Sequence, residues 1–329
     1  MPCSFQWPVP VVSGIQPTTA GPLRATDNWQ LSMNLDGFPW PLMGERKTVP
    51  RWDDDHFTVA SERFEILTYS ESESAWSPEL TALHEKEAST SHPIDIASRT
   101  MAVESMKLIH GSGKPIILDV GCSSGFLVED LLREIPQAAV IGADYLPNVV
   151  LSAARRVRRA PFLQFDLRHC PLPTDCLDGV TALNVLEHID DDFKALQEIY
   201  RILKPGGLAH IEVPADPSSF DLYDEVLMHF RRYRLGNLTV KAREAGFAIL
   251  KATHLGFFAY PLFKMVKQRN QKAGKNLSYD QKKELVARQI GKTARTQLLS
   301  TAFKVERIFG SLVRYPFGIR VVLRLQKTF

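Results

Sequence analysis

Hydrophobic and polar positions divide the chain into three stretches. Over residues 1–56 no period of 2 or 3.6 persists, and Asp36-Gly37, Phe38-Pro39 and Trp40-Pro41 punctuate the stretch with turns, so short strands and loops are expected. Ser77-Pro78-Glu79 reads as a helix start, with a capping serine and proline in the first turn. Ile96, Met101, Val103, Met106 and Leu108 give one buried stripe to a helix over Ile94–Ile109. Beyond it the pattern changes to short, wholly apolar runs: 115–120, 138–143, 162–165, 179–183 and 208–213, separated by amphipathic stretches. Such runs alternating with helices predict a parallel sheet covered on both faces. Two further strands are expected at 247–254 and 319–325, with about 60 basic, helix-favouring residues between them, from Phe257 to Tyr315.

Several of the runs end in residues that can hold a ligand. The first closes as Asp119-Val120-Gly121-Cys122-Ser123-Ser124-Gly125: an acid, a turn on glycine, then a helix. Glycine lets a backbone approach a ligand closely because no Cβ intervenes. The G-x-G-x-x-G spacing of nicotinamide enzymes is absent. A carboxylate two residues ahead of the first glycine would repel a pyrophosphate and suit an ammonium group. Asp144, followed by Tyr145, ends the second strand 23 residues after Gly121, where a carboxylate can accept both hydroxyls of a ribose. Asp166-Leu167 follows the third strand, and Asp166 can accept an exocyclic amine. Asn184-Val185-Leu186-Glu187-His188-Ile189 follows the fourth strand, and Leu203-Lys204-Pro205-Gly206-Gly207 precedes the fifth.

Taken in order, these motifs resemble the class I S-adenosylmethionine (SAM)-dependent methyltransferases, firmly over Ile116–Gly246 and more loosely to the last strand. The resemblance implies an α/β, Rossmann-like, seven-stranded and mostly parallel sheet with helices on both faces. It also implies SAM as cofactor. Asp119, Gly121, Cys122, Ser123 and Gly125 would hold its methionine part, Asp144 its ribose, and Asp166 and Leu167 its adenine, with Tyr145 and Asn184 also among the cofactor-binding residues. Ser123 stands where many members have glycine. The expected organisation is an N-terminal extension and lid over 1–100, a SAM-binding core over 101–255, a basic helical insertion over 256–315 and a last core strand over 316–329.

A hydroxyl acceptor must lose a proton, and His188 and His229 are the candidate bases. A histidine at 188 can equally only shape the cofactor pocket. Some quinone-pathway O-methyltransferases bind a metal with two carboxylates and a histidine in this segment. Here Asn184 replaces the first carboxylate, so no metal is expected. His229-Phe230-Arg231-Arg232-Tyr233 resembles a segment of bacterial relatives. Arg231, Arg232 and Tyr233 are candidates to orient an anionic or sugar-like acceptor, or else they form a structural network. Tyr69, Trp76 and His92–Asp95 are lid candidates.

Charge is uneven. From Lys251 to Phe329 there are 17 Lys/Arg against 3 Asp/Glu, and residues 1–250 carry 23 against 34. The basic quarter is expected either to meet something anionic, such as a membrane surface, or to be a solvated face. The four cysteines form no C-x-x-C pair, and no apolar run nears the roughly 20 residues of a bilayer span, so a cytoplasmic protein with a small-molecule acceptor is expected. A nucleic-acid methyltransferase and a noncatalytic SAM-fold protein are the rival readings. No RNA-binding module is present to favour the first, and the retained ligand motifs speak against the second.

Overall fold

The computed structural model describes residues 35, 37–44, 47–70, 92–111, 113–274, 277–293, 297–310 and 313–328, with backbone alone over 287–293 and 297–298. The helix start at Ser77-Pro78 and the lid candidate Trp76 lie outside the described residues.

Three short strands, β1 (Arg51–Trp52), β2 (Phe57–Val59) and β3 (Glu62–Phe64), form a small antiparallel sheet. It packs on Trp40, whose ring meets Phe57 edge-on at 5.0 Å. Then come β4 (Leu67–Thr68), α1 (Pro93–Met106), β5 (Ile116–Val120), α2 (Phe126–Glu134), β6 (Ala139–Asp144), α3 (Pro147–Arg156) and β7 (Phe162–Gln164). The second half holds β8 (Leu177–Leu183), α4 (Asp192–Ile202), β9 (Leu203–Pro214), α5 (Leu222–Val226), α6 (Leu235–Glu244) and β10 (Phe247–Leu255). Helices α7 (Tyr260–Ala273), α8 (Tyr279–Thr293) and α9 (Gln297–Gly310) precede β11 (Arg320–Lys327).

The main sheet runs β10-β11-β9-β8-β5-β6-β7-β4, eight strands rather than the expected seven. The eighth is β4, two residues pairing parallel to β7 through Leu67 and Thr68. Two residues are too few for a periodic signal, which is why the sequence does not announce it. Only β11 is antiparallel to its neighbours, filling the gap between β10 and β9. Alternate strand residues face opposite ways. Leu118, Val120 and Ile141 join the core under α4 and α6, whereas Ile117 and Val140 join the one under α1, α2 and α3. Both faces are thus dry, and that accounts for the unbroken apolar runs.

The order reverses at β5, whose neighbours are β6 and β8. In open α/β sheets the crevice beyond the carboxyl ends at such a switch point is where ligands bind. The turns after β5 and β8 therefore meet there.

The basic insertion docks by charge. Lys267 of α7 is buried, with Nζ 2.6 Å from Asp221 Oδ1 and 3.5 Å from Asp224 Oδ2. Lys264 pairs with Asp216, Lys282 with Glu225 and Arg307 with Glu104. On β11, Arg320 pairs with Asp95 and Glu212, and Lys327 with Asp175. Part of the charge split is therefore answered inside the chain. No helix among the described residues is long and apolar enough to cross a membrane.

Candidate functional site

The turn after β5 runs through left-handed backbone at Gly121 (φ 68°), Ser123 (φ 49°) and Gly125 (φ 75°). Gly125 lies immediately before α2, so the turn delivers the chain into that helix's first amides. Ser123 adopts a conformation that costs a non-glycine residue about 1–2 kcal/mol. The Asp144 carboxylate holds it there: Oδ2 accepts the Ser123 N–H at 3.1 Å, and Oδ1 accepts the Leu146 N–H at 3.1 Å. Asp144 thus ties the second strand's end to the glycine turn while staying partly exposed. Cys122 is buried, its N–H bonded to the Ala143 carbonyl at 2.9 Å, so it shapes the turn from beneath. Tyr145 follows beside the cleft, and its carbonyl accepts from Gln164 Nε2 at 2.9 Å.

Asp119 is 3% exposed and accepts a hydrogen bond from Thr181 Oγ1 at 2.7 Å. Burial pushes its carboxyl up to about 7, the Thr181 bond works against that, and the Asp144 charge adds to it. A buried acid held this high lacks a cation, and the ammonium of a bound methionine moiety would supply one. With the left-handed glycine turn and Asp144, these residues fit SAM.

Asp166 is already engaged within its own turn. Its carboxylate caps the short 3-10 turn Leu167–His169 by accepting the Arg168 N–H at 2.9 Å, and it pairs with the Arg168 guanidinium at 2.7 Å. Burial raises its pKa, but Arg168 outweighs burial and holds it below the ordinary carboxylate range. Its acceptor capacity is largely taken. Leu167 is buried beneath.

Past β8, Asn184 takes a left-handed φ of 54° and donates its N–H to the Glu212 carbonyl at 2.8 Å. That sharp turn sends Leu186–His188 back over the strand ends as a 3-10 turn. The His188 and His229 rings meet edge-to-face with centroids 4.7 Å apart, so the two candidate bases come together although 41 residues separate them. His229 Nδ1 lies 2.8 Å from Asp224 Oδ1. Beside them is Glu187, 0% exposed, with neither carboxylate oxygen hydrogen-bonded among the described residues. Burial pushes it up to about 8. The sequence reading passed over Glu187 and Asp224, because no spacing rule links residue 187 to 224 and 229.

The acceptor candidates Arg231, Arg232 and Tyr233 take part in a network of internal bonds. Arg232 is buried, with Nε 2.8 Å from Asp224 Oδ1 and Nη1 donating to the Ala215 carbonyl at 3.1 Å. Tyr233 is buried and donates to Asp192 Oδ2 at 2.8 Å. Arg231 pairs with Asp192 at 3.0 Å and donates to the Asp190 carbonyl at 2.7 Å. These groups tie the loop after α5 to the turn after β8. Tyr69 donates its hydroxyl to the Pro41 carbonyl at 2.9 Å, so it pins the N-terminal segment to the edge of the sheet.

The methyltransferase-domain family model matches residues 118–211. The uncharacterized methyltransferase YdaC of Bacillus subtilis is 30% identical over 133 residues, 40% of this chain and 70% of that protein. A demethylmenaquinone methyltransferase of Thermus thermophilus is 36% identical over 106 residues, 31% of this chain and 48% of that protein. The mitochondrial ubiquinone biosynthesis O-methyltransferase of Rattus norvegicus is 36% identical over 110 residues, 30% of this chain and 31% of that protein. The chain spans about half the length of several of the curated relatives it matches. The glycine turn with its two carboxylates, the switch-point topology and these matches agree that the chain belongs to the class I SAM-dependent methyltransferase family.

Proposed function

We propose that the protein transfers a methyl group from SAM to a hydroxyl of a small-molecule acceptor, such as a sugar, a lipid-linked glycan or a secondary metabolite. One observation carries the reading: the cofactor turn of Asp119–Gly125 follows β5, and Glu187 and His188, which meet His229 of the loop after α5, follow the adjacent strand β8. When bound, SAM supplies an electrophilic methyl on a sulfonium. Asp119 would hold its ammonium and Asp144 its ribose, one on either side of the sulfonium. The cluster lies beyond the Leu183 end of β8 and handles the acceptor's proton. Two relatives are named for quinone methylation, so phenolic acceptors belong with the sugars in any panel. The test is incubation with methyl-labelled SAM and a panel of phenols, sugars and polyprenyl-linked glycans, read by mass. Transfer to one class supports the reading. Transfer only to RNA would replace it with the nucleic-acid alternative, and SAM binding without transfer to any acceptor would favour a noncatalytic role.

A second reading concerns where the acceptor is met. Helices α7 and α9 carry exposed Leu262, Met265, Val266, Val305, Ile308 and Phe309 beside Arg269, Lys304 and Arg307. Apolar side chains among cations suit peripheral contact with an anionic membrane, from which a lipid-linked acceptor would be drawn.

A further inference from the structure

The turn after β8 brings Glu187 and His188 against His229, which lies 41 positions further along the chain than His188. We propose that Glu187, His188 and His229 bind one first-row divalent cation. One potential ligand atom from each lies within 4.8 Å of the other two. A cation bonded at about 2.1 Å spans donors roughly 3.4 Å apart in a tetrahedron, so modest side-chain rotation closes the set.

Two observations point to a cation independently of that proximity. Glu187 is wholly buried, and neither carboxylate oxygen has a hydrogen-bond partner among the described residues. A buried carboxylate is retained in that state only where a proton or a cation compensates it.

The second observation is the orientation of His229. Arg232 Nε lies 2.8 Å from Asp224 Oδ1 and Lys267 Nζ 3.5 Å from its Oδ2, so two cations face the carboxylate and it serves as an acceptor. His229 must then donate from Nδ1, which leaves its lone pair on Nε2. A carboxylate behind a histidine in this way fixes the tautomer and raises the ligand's basicity, as outer-shell carboxylates do in metal sites. Arg232 and Lys267 also pair with Asp224, so the aim of the imidazole is set by two helices, α5 and α7, and the loop after α5.

Two imidazoles and one carboxylate suit Zn²⁺, Co²⁺, Fe²⁺ or Mn²⁺ better than the all-oxygen preference of Mg²⁺ or Ca²⁺. Three protein ligands leave a coordination position open. The role of that position rests on the proposed methyl transfer: an acceptor hydroxyl placed there would ionise at lower pH. The binding itself does not rest on it.

The test uses the full chain, stripped with a chelator and titrated with Co²⁺ by visible absorption and with Zn²⁺ by calorimetry. Binding of S-adenosylhomocysteine is followed in parallel. One equivalent of metal is expected, with visible bands for Co²⁺ held by nitrogen and oxygen ligands. Glu187→Gln and His229→Gln should each weaken binding by about tenfold or more, and Asp224→Asn by about tenfold through the His229 tautomer. Should a variant fail to fold, the wild-type stoichiometry and Co²⁺ spectrum decide alone. Substoichiometric binding by the wild type, or variants binding as tightly as it does, would overturn the site. Retained S-adenosylhomocysteine binding would then leave the cofactor reading standing, and its loss in the wild type would sink that reading separately.

Discussion

Asp119 and Thr181 are register partners across the two central parallel strands, and the Thr181 hydroxyl donates to the Asp119 carboxylate at 2.7 Å. That single bond is too little to offset burial, so the Asp119 carboxyl sits near 7, above the roughly 3.9 of an unfolded chain. Between about pH 4 and 7 the folded protein therefore holds a proton that the unfolded one lacks. This contribution to stability is complete below pH 4 and is lost as pH rises through 7. A ligand ammonium favours the ionised form, so S-adenosylhomocysteine should bind with proton release at pH 6 and tighten from pH 5 to 7.5. Calorimetry in two buffers of different ionisation heat measures the release, and Asp119→Asn should abolish it. Equal heats in both buffers with the wild type would show that Asp119 does not meet the ammonium.

Gly121 has a packing duty as well as a conformational one. A Cβ built there would sit 2.4 Å from Val185 Cγ2, and the backbone φ is 68°. Gly121→Ala should cost about 1–3 kcal/mol of stability, measured by urea unfolding, and should weaken ligand binding too. Val185→Ala opens the space, so the double variant should recover part of the loss, with a coupling energy of about 0.5–3 kcal/mol. Zero coupling would mean that Gly121 serves ligand clearance alone.

Strands β5 to β9 were legible because their runs are apolar on both faces, a signal that needs no partner to be read. The β5 turn was legible because its glycines and acid are contiguous. What stayed hidden is tertiary. The stretch between His188 and His229 carries no periodic hint that the two histidines meet. Arg232 and Tyr233 looked like ligand-binding groups because charge and aromaticity look the same in sequence whether they face a cleft or a buried aspartate. The charge split from Lys251 onward likewise could not reveal that Lys267 and Arg320 would be answered by Asp221 and Glu212.

Asp144 carries two burdens. Its oxygens already accept the Ser123 and Leu146 amides, and a ribose would add to them. Asp144→Ala should weaken S-adenosylhomocysteine binding by about 1–3 kcal/mol, and thermal denaturation should show a lower Tm as the glycine turn loosens. Unchanged affinity in calorimetry would remove the ribose role and leave Asp144 as a turn brace.

Tyr233 separates the structural reading of its segment from the ligand-binding one. Its hydroxyl is buried against Asp192, which is also paired with Lys241 at 2.5 Å. Tyr233→Phe should lose about 1–2 kcal/mol of stability, since it strands part of a buried carboxylate. The KM for the acceptor should stay within about twofold, the usual reach of a change distant from the ligand. A large rise in KM with stability unchanged would restore Tyr233 to the acceptor site.

The membrane reading depends on how much of the basic quarter is left for lipid. Lys264, Lys267, Lys282, Arg307, Arg320 and Lys327 are paired with acids of the core. Charge alone therefore promises less than the sequence balance suggests. The apolar side chains shift the expectation: Ile308 is 66% exposed, Leu262 56%, Phe309 54% and Phe258 49%. Inserting such groups does not weaken with salt, whereas each engaged Lys or Arg contributes about 1 kcal/mol that fades within a Debye length. Co-sedimentation with phosphatidylserine-containing vesicles should thus fall, but not vanish, between low and high salt. Ile308→Ser with Leu262→Ser should remove the salt-resistant part. Absence from anionic and neutral vesicles alike at low salt would sink the reading and leave these helices as a solvated cap over the sheet edge.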